Sequence, residues 1–511
     1  MRKNVYCCMK KVVCWMLALL TVLSMILVFT ACGDPSPSGD PSDTTLKTTG
    51  LSETMTEEVD NRFEGIHYDG RAFRIHTSSA PSWTTTSSNY LIEGSGQIGG
   101  GMVSDAVFER NIAVEETLGV TLEFTPADIS YTQVYGEIRK LVASGTDDYD
   151  LFINDIMGFA DLAIEGGFLN VLDEDCVFDF DKSYWYKDYM EDIRFLDGYQ
   201  FFLAGDFFID VLRTAHLMLL NKQLYTDYYH SSADELYDVV LNYEWTYEKM
   251  LTLTSDLYVD KDLDGQRSGR DQYGYVDWDH WGATIPLAAS GTTNFIAREE
   301  DGCPVITINQ GDRANQLAGY ISSLFHSEGT GLLGEETDIN FAAENSLLTG
   351  AFSLGSLENE LLRQMEGDVV VLPYPMLFAS DKKYTTATHQ TTEMGAILVT
   401  ASDLTFISTV VEVLNRETAK ILIPRYYKEG LQVQLVDDEK SAAMIDIIHD
   451  NFDNSFILAQ DTALGDCILR SFMEAAVSKR EYSAVYAGLE KSVNRTLERK
   501  IILFQKKNGI E

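Results

Sequence analysis

The sequence predicts an α/β protein with a two-lobed body built on largely parallel sheets. Three observations lead there. A strand, helix, strand, helix, strand succession runs from Phe73 to Ile153, which implies a parallel sheet, since a helix must carry the chain back to begin each next strand. A further buried-looking strand, DVVVLPY from Asp368 to Tyr374, comes far downstream. Once the amino-terminal leader is set aside, about 450 residues remain, enough for a large body of two lobes.

The elements follow in order. Phe73 to Thr77 reads as a short strand, and the segment from Ser104 to Gly119 puts Val107, Val114 and Leu118 at helical spacing with charges between them. Val120 to Phe124 alternates as a strand. Tyr131 to Val142 carries Val134, Ile138 and Leu141 on one helical face, a Ser-Gly-Thr turn follows, and Tyr149 to Ile153 is the next strand. Asn154 and Asp155 come directly after it, at the carboxyl end of a strand, where open α/β sheets bind their ligands. Asp403 to Lys420 and Ala442 to His449 are long helical patterns, and Asp466 to Gln505 is a run of helices. There is no internal repeat at a fixed period.

Before this body comes an export signal. Arg2, Lys3, Lys10 and Lys11 precede an apolar run from Val12 to Phe29 that closes on Thr30-Ala31-Cys32-Gly33. An uncleaved transmembrane anchor also fits an apolar run of this length, but small residues before a cysteine, then a Pro/Ser/Asp tail, resemble a bacterial lipobox with Phe29 in place of the usual leucine, and the lipoprotein reading is preferred. Residues 1–31 are then the signal, and Cys32 is the lipid-bearing first residue of the mature chain. Asp34 to Asp60 is Ser, Thr, Pro, Asp and Gly with almost nothing apolar, so residues 32–62 are expected to be a disordered tether ahead of a body at 63–511.

The formal net charge is −40. Nucleic acid is excluded as a partner by that sign, and so is adhesion to an anionic bilayer unless a lipid holds the protein there. Neutral ligands remain. Of the seven cysteines, Cys7, Cys8 and Cys14 lie in the signal and Cys32 at its end; Cys176, Cys303 and Cys467 are scattered, which is neither a disulfide framework nor a zinc site.

No HExxH helix, GxSxG elbow or Walker loop is present, and the eight histidines have no ligand spacing. Gly94-Ser-Gly-Gln-Ile-Gly99 matches a dinucleotide fingerprint as a string, but an exported protein has no dependable nicotinamide supply, so it reads as a flexible loop. With 79 acidic residues, paired-carboxylate chemistry has no preferred pair. Trp278 and Trp281 in VDWDHWGA, with Asp277 and Asp279, are more informative, because a pyranose offers an apolar C–H face ringed by hydroxyls that indole and carboxylate together can hold. Either tryptophan is equally readable as core.

The segments SDAVFERNIAVEETLGV, YDLFINDIMGFADLAIEGGFLNVLD, LMLLNKQLY with Asn221, EWTYEKMLTLT, QYGY, VVVLPYPM and DLTFISTVVEVLNRETAKILIPRYYKEGLQVQLVDDEKSAAMIDIIHDN resemble the extracellular solute-binding proteins (family 1 type) of ATP-binding-cassette carbohydrate importers, in their Gram-positive lipoprotein branch. The resemblance spans roughly residues 65 to 460. It implies a periplasmic-binding-protein type II fold, whose discontinuous lobes close on a ligand about a hinge. The lobes are expected at about 63–160 with 340–400, and about 205–340 with 400–511, with chain crossings near 160–205 and 340–400. The cleft is expected to draw on Trp83, Tyr90, Asp155, the Gly205-Asp206 crossing, Asp277, Trp278 and Trp281.

The stretch DKDLDGQRSGRD has the spacing of a twelve-residue calcium loop, with Asp260, Asp262, Asp264, the Gln266 carbonyl, Ser268 and Asp271 as ligands. Arg267 at the eighth position and the short Asp271 at the twelfth depart from a signalling hand, which leaves a structural calcium clip or a plain Asp/Gly turn. The function expected is non-enzymatic: a monomeric, membrane-anchored receptor on the extracellular face that hands a sugar to permease subunits, with no cofactor for function. A surface glycoside hydrolase and a lobed sensor without a transport role are the alternatives.

Overall fold

The computed structural model describes residues 62–77, 89–94, 97–358, 360–427 and 439–510. The signal, Cys32, the tether and Trp83 lie outside the described residues, as does the side chain of Tyr90, whose backbone is in the short helix Asn89–Ile92. The chain divides into two units, Met1–Thr48 and Thr49–Glu511, and the second holds both large sheets.

In the first sheet β1 (Arg71–Thr77), β2 (Val120–Pro126) and β3 (Leu151–Asp155) are parallel, as the succession of elements predicts. β13 (Glu393–Ala396) pairs antiparallel with β3 and with β4 (Phe202–Leu203), giving the order β2-β1-β3-β13-β4. The helix Met102–Leu118 buries Val107, Val114 and Leu118, the face its spacing marks, and stops at Gly119, whose φ of 61° is the left-handed region that ends helices.

The second sheet contains β5 (His216–Asn221), β6 (Tyr258–Val259), β7 (Gln272–Asp277), β10 (Thr330–Leu332), β11 (Ser346–Ser353) and β12 (Val369–Leu372), ordered β10-β7-β11-β5-β12 with β6 on β7. β7, β10 and β11 are parallel, while β5 runs against β11 and β12. A separate hairpin, β8 (Ile296–Arg298) with β9 (Pro304–Ile306), reaches the segment before β4, where Arg298 donates to the carbonyls of Phe195 (2.9 Å) and Asp192 (3.4 Å).

The DVVVLPY strand, which lies in the 340–400 range expected to complete the sheet of the first lobe, is instead β12 of the second sheet, and β13 stands in the first. All four residues of β12 are buried, and an apolar run of that kind fits either sheet, so hydropathy cannot choose. The tail is also not confined to the second lobe. Leu404–Glu417 packs on Met102–Leu118 of the first, Glu439–His449 on β12, Ser455–Gln460 on the helix Ile156–Ile164, Ile468–Ser478 on His280–Ala289 and Arg313–Phe325, and Glu490–Lys507 again on Ile156–Ile164. An amphipathic period shows that a face is covered and not which body covers it.

The chain passes between the sheets at 204–215 and 373–392, at the end of one expected range and inside the other. These segments join through an antiparallel bridge, Ala215 to Thr388, and Thr386 bridges in turn to Phe452, so a third segment lies beside them.

Candidate ligand-binding cleft

The connections determine which sheet ends face the junction. β4 leads from the first sheet into His216, the start of β5, and the register Ser353 to His216 puts that start beside the carboxyl end of β11, which is parallel to β7. The return segment leaves the carboxyl end of β12 and enters β13 at Glu393, which pairs with Asp155. Both passages therefore join the strand ends that carry Asp155 and Asp277. This is the edge where open α/β sheets present ligand groups.

Asp155 is 1% exposed and caps the helix Ile156–Ile164, accepting from Gly158 N at 3.1 Å and from the Tyr135 hydroxyl. Burial pushes its carboxyl up to about 6 against those donors. Asp206 lies in the first crossing and accepts from the Tyr186 hydroxyl at 3.0 Å; burial raises it to about 7, with His449 opposing. Asp277 ends β7, accepts from the Tyr275 hydroxyl at 2.5 Å and the Trp278 amide at 2.8 Å, and is raised to about 7, again by burial.

Trp278 follows with 43% of its surface exposed, and its carbonyl accepts from Gly334 N at 2.7 Å. Trp281 is half-buried, with the Arg470 guanidinium 5.1 Å from its ring centroid. Asp279, which sits between the tryptophans, is an N-cap: its side chain accepts from Gly282 N at 2.7 Å. The expected residues therefore split into two groups, Asp155 on the first lobe and Asp277, Trp278 and Trp281 together on the second, with Asp206 in the crossing that links them.

Four further side chains gather at the second group. Tyr374 donates to the Gly350 carbonyl at 2.6 Å, and a Cβ on Gly350 would stand 2.6 Å from the Tyr374 oxygen and 2.7 Å from that of Tyr275. His216 and His389 have ring centroids 5.9 Å apart, and neither ring nitrogen of His216 has a partner among the described residues. Burial lowers His216 to about 3 and His389 to about 4, so both rings are neutral.

Of the calcium-loop residues, Asp260, Asp262 and Asp264 converge, with one ligand atom from each lying within 4.8 Å of the others. Asp260 Oδ1 is buried without a partner among the described residues. Asp271 is not in that cluster: its carboxylate accepts from Ser268 N (2.9 Å), Lys261 N (3.2 Å) and the Tyr258 hydroxyl (3.3 Å) and so ties the ends of the loop. Arg270 is the nearest cation, 3.1 Å from Asp262.

Two open cavities lie elsewhere. One of about 540 Å³ sits between the second lobe and the later crossing segments, lined by polar groups including Asn294, Gln310, Arg313, Asp381 and Asn454. The other, about 400 Å³, is lined on the first lobe by Phe108, Ile112, Leu122 and Phe124. Of the expected cleft residues that are described, Asp155, Asp206, Asp277, Trp278 and Trp281, none lines either.

No protein-family model matches the sequence, and no curated protein matches it. Solved structures do. The ABC substrate-binding protein Lmo0181 from Listeria monocytogenes, in complex with cycloalternan, aligns over 87% of this chain and 100% of its own, with a TM-score of 0.51 and 14% identity. A cyclo/maltodextrin-binding protein complexed with maltotetraose aligns over 85% and 98%, with a TM-score of 0.55 and 11% identity. The fold is that of the two-lobed ABC substrate-binding proteins.

Within that fold the sequence reading missed Tyr275, Tyr374, His216 and His389. A signal existed for one of them: Tyr275 and Asp277 are two apart on a strand and must share a face. The other three come from strands and crossings that meet only in the folded chain.

Proposed function

We propose that this protein is a non-enzymatic, lipid-anchored receptor on the outer face of the cell membrane that captures an oligosaccharide between its lobes and delivers it to an ABC permease. Trp278 carries the reading. It is a large indole left 43% exposed at the carboxyl end of β7, directly after the buried acid Asp277, on the strand edge that the crossings join to the first lobe. Stacking on a pyranose is the use such a face has, and the acidic chain suits a neutral ligand. Proteins of the same fold were solved with cycloalternan and with maltotetraose. Lobe closure on the sugar would be a two-state equilibrium biased by contacts to both lobes.

Calorimetric titration with maltotetraose, cycloalternan and a wider set of neutral oligosaccharides tests capture; a folded protein that binds none of them refutes it. Chromatography of the same mixtures tests the absence of catalysis, and release of saccharide fragments would favour a hydrolase. For the anchor, Cys32→Ser should move the protein from the membrane fraction to the medium.

The Asp-rich loop is proposed as a structural calcium clip held by Asp260, Asp262 and Asp264, with the Gln266 carbonyl and Ser268 completing the set and Asp271 closing the loop from behind. A hard cation among three carboxylates would cancel their mutual repulsion and join the helix before the loop to β7. Calcium should then raise the melting temperature relative to a chelated sample, and Asp262→Asn should remove the rise.

A further inference from the structure

We infer that the outward face of the carboxy-terminal helix Glu490–Lys507 is a docking surface for an anionic lipid bilayer. This 18-residue helix turns Val493, Leu497 and Phe504 inward, and Phe504 packs against the rings of Phe195 (5.2 Å), Tyr199 (5.6 Å) and Phe201 (5.7 Å). The opposite face is a single exposed stripe: Lys491, Arg495, Arg499, Ile502 and Lys506 recur at intervals of three or four, flanked by Leu503 and Lys507.

In a chain of net charge −40 this stripe is basic, with Glu498 the one acid between Lys491 and Lys507. Lys500 is engaged by Asp161 at 2.7 Å, whereas Lys491, Arg495, Arg499, Lys506 and Lys507 form no ion pair among the described residues. From Lys491 to Lys506 the cations extend along about 22 Å of helix axis.

Net charge argues against bilayer contact for the protein as a whole, but charges act only within a screening length of about 8–10 Å at physiological salt. A surface brought against this helix therefore meets its cations before the acids of the rest of the body. The aliphatic pair chooses between anionic partners. Ile502 is 64% exposed and Leu503 36% exposed within the cationic stripe, and of the anionic surfaces a chain can meet, a bilayer is the one with hydrocarbon directly beneath its charge. The stripe is too short of apolar groups to hold the protein alone. The lipid proposed on Cys32 supplies the anchor, and the basic stripe sets which face of the body meets the surface. The inference rests on the proposed membrane location for its context and is independent of the sugar.

The test is hydrogen exchange on the full chain incorporated into vesicles of phosphatidylcholine alone or mixed with phosphatidylglycerol, without saccharide. Exchange across residues 491–507 should slow on the mixed vesicles and recover as salt is raised. The exposed double variant Arg495→Glu/Arg499→Glu should lose this slowing while keeping the wild-type melting temperature, and Ile502→Ser/Leu503→Ser should weaken it. Each basic side chain near an anionic surface contributes about fivefold, so the ratio of docked to undocked helix read from the exchange should fall at least about 25-fold on charge reversal. Equal exchange on the two vesicle types overturns the inference. So does equal slowing by dissolved polyphosphate, which would make the partner a polyanion.

Discussion

Ala215 and Thr388 pair in an antiparallel bridge, which lays the two inter-sheet passages side by side. The pairing is made by His216 N to Ala387 O at 2.9 Å and His389 N to Thr214 O at 3.1 Å. Lobes that move about such a ribbon can bend it by small backbone rotations while its hydrogen bonds persist, which is how a hinge keeps two bodies in register.

The ribbon is held to the first lobe by a buried hydroxyl pair, Thr388 and Tyr189, 3.1 Å apart. Thr388→Val keeps the shape and leaves the Tyr189 hydroxyl unpaired at 1% exposure, which should cost about 1–3 kcal/mol in urea unfolding. Adding Tyr189→Phe should restore most of that loss, since both polar partners are then gone. Costs that simply add would show that the pair does not act as a unit.

Gly350 is required by close approach. Gly350→Ala puts a methyl 2.6 Å from the Tyr374 oxygen and 2.7 Å from the Tyr275 oxygen, so one tyrosine must shift. The overpacking should cost about 1–3 kcal/mol of stability and weaken saccharide binding in the same variant. A neutral effect on both would mean that this floor is pliable.

Asp277 gives a pH signature. Its folded carboxyl is raised from 3.8 to about 7, so below 3.8 it is protonated in both folded and unfolded chains, while between 3.8 and about 7 the folded chain keeps the proton better. The stability it contributes is complete at low pH and lost as pH rises through about 7. Asp277→Asn should therefore gain on the wild type as pH rises from about 4 to 8, with an upper bound of about 4 kcal/mol at about 1.4 kcal/mol per unit. Parallel stability curves for the two proteins would contradict the buried assignment.

The tryptophans should separate by readout. Trp278→Ala should cost about 1–3 kcal/mol of saccharide affinity and little stability, because its ring is exposed before binding. Trp281→Ala should lower stability as well, since that ring is half-buried beside Arg470. Unchanged affinity after both replacements would place the sugar elsewhere, with the 540 Å³ polar cavity the next site to probe.

The parallel strands β1, β2 and β3 and the helices between them were legible because Val107, Val114, Leu118, Val134 and Ile138 sit at helical spacing, and each is fully buried; β4 and β13 were not legible. Asp155 was legible as a strand end, and Asp277 only as a carboxylate beside Trp278; its place at the end of β7 came from the fold. The burial of neither was legible, because it depends on Tyr135 and Tyr275, whose approach is tertiary. The sheet that takes Val369–Leu372, and the tail's alternation between lobes, were illegible for a common reason: apolar pattern marks a buried surface without naming its cover. Asp271 has calcium-loop spacing, yet three donors from its own loop and strand claim its carboxylate.

The central claim is capture of a neutral saccharide at the strand edge marked by Asp277 and Trp278. The most direct test is a thermal-shift titration of the wild type and Trp278→Ala with maltotetraose, cycloalternan and related neutral oligosaccharides, since a ligand that binds only the folded chain must raise its melting temperature. The account predicts that at least one saccharide raises the wild-type melting temperature in a concentration-dependent way, and that the rise shrinks in Trp278→Ala. No rise with any saccharide, or a rise that Trp278→Ala leaves untouched, would contradict it.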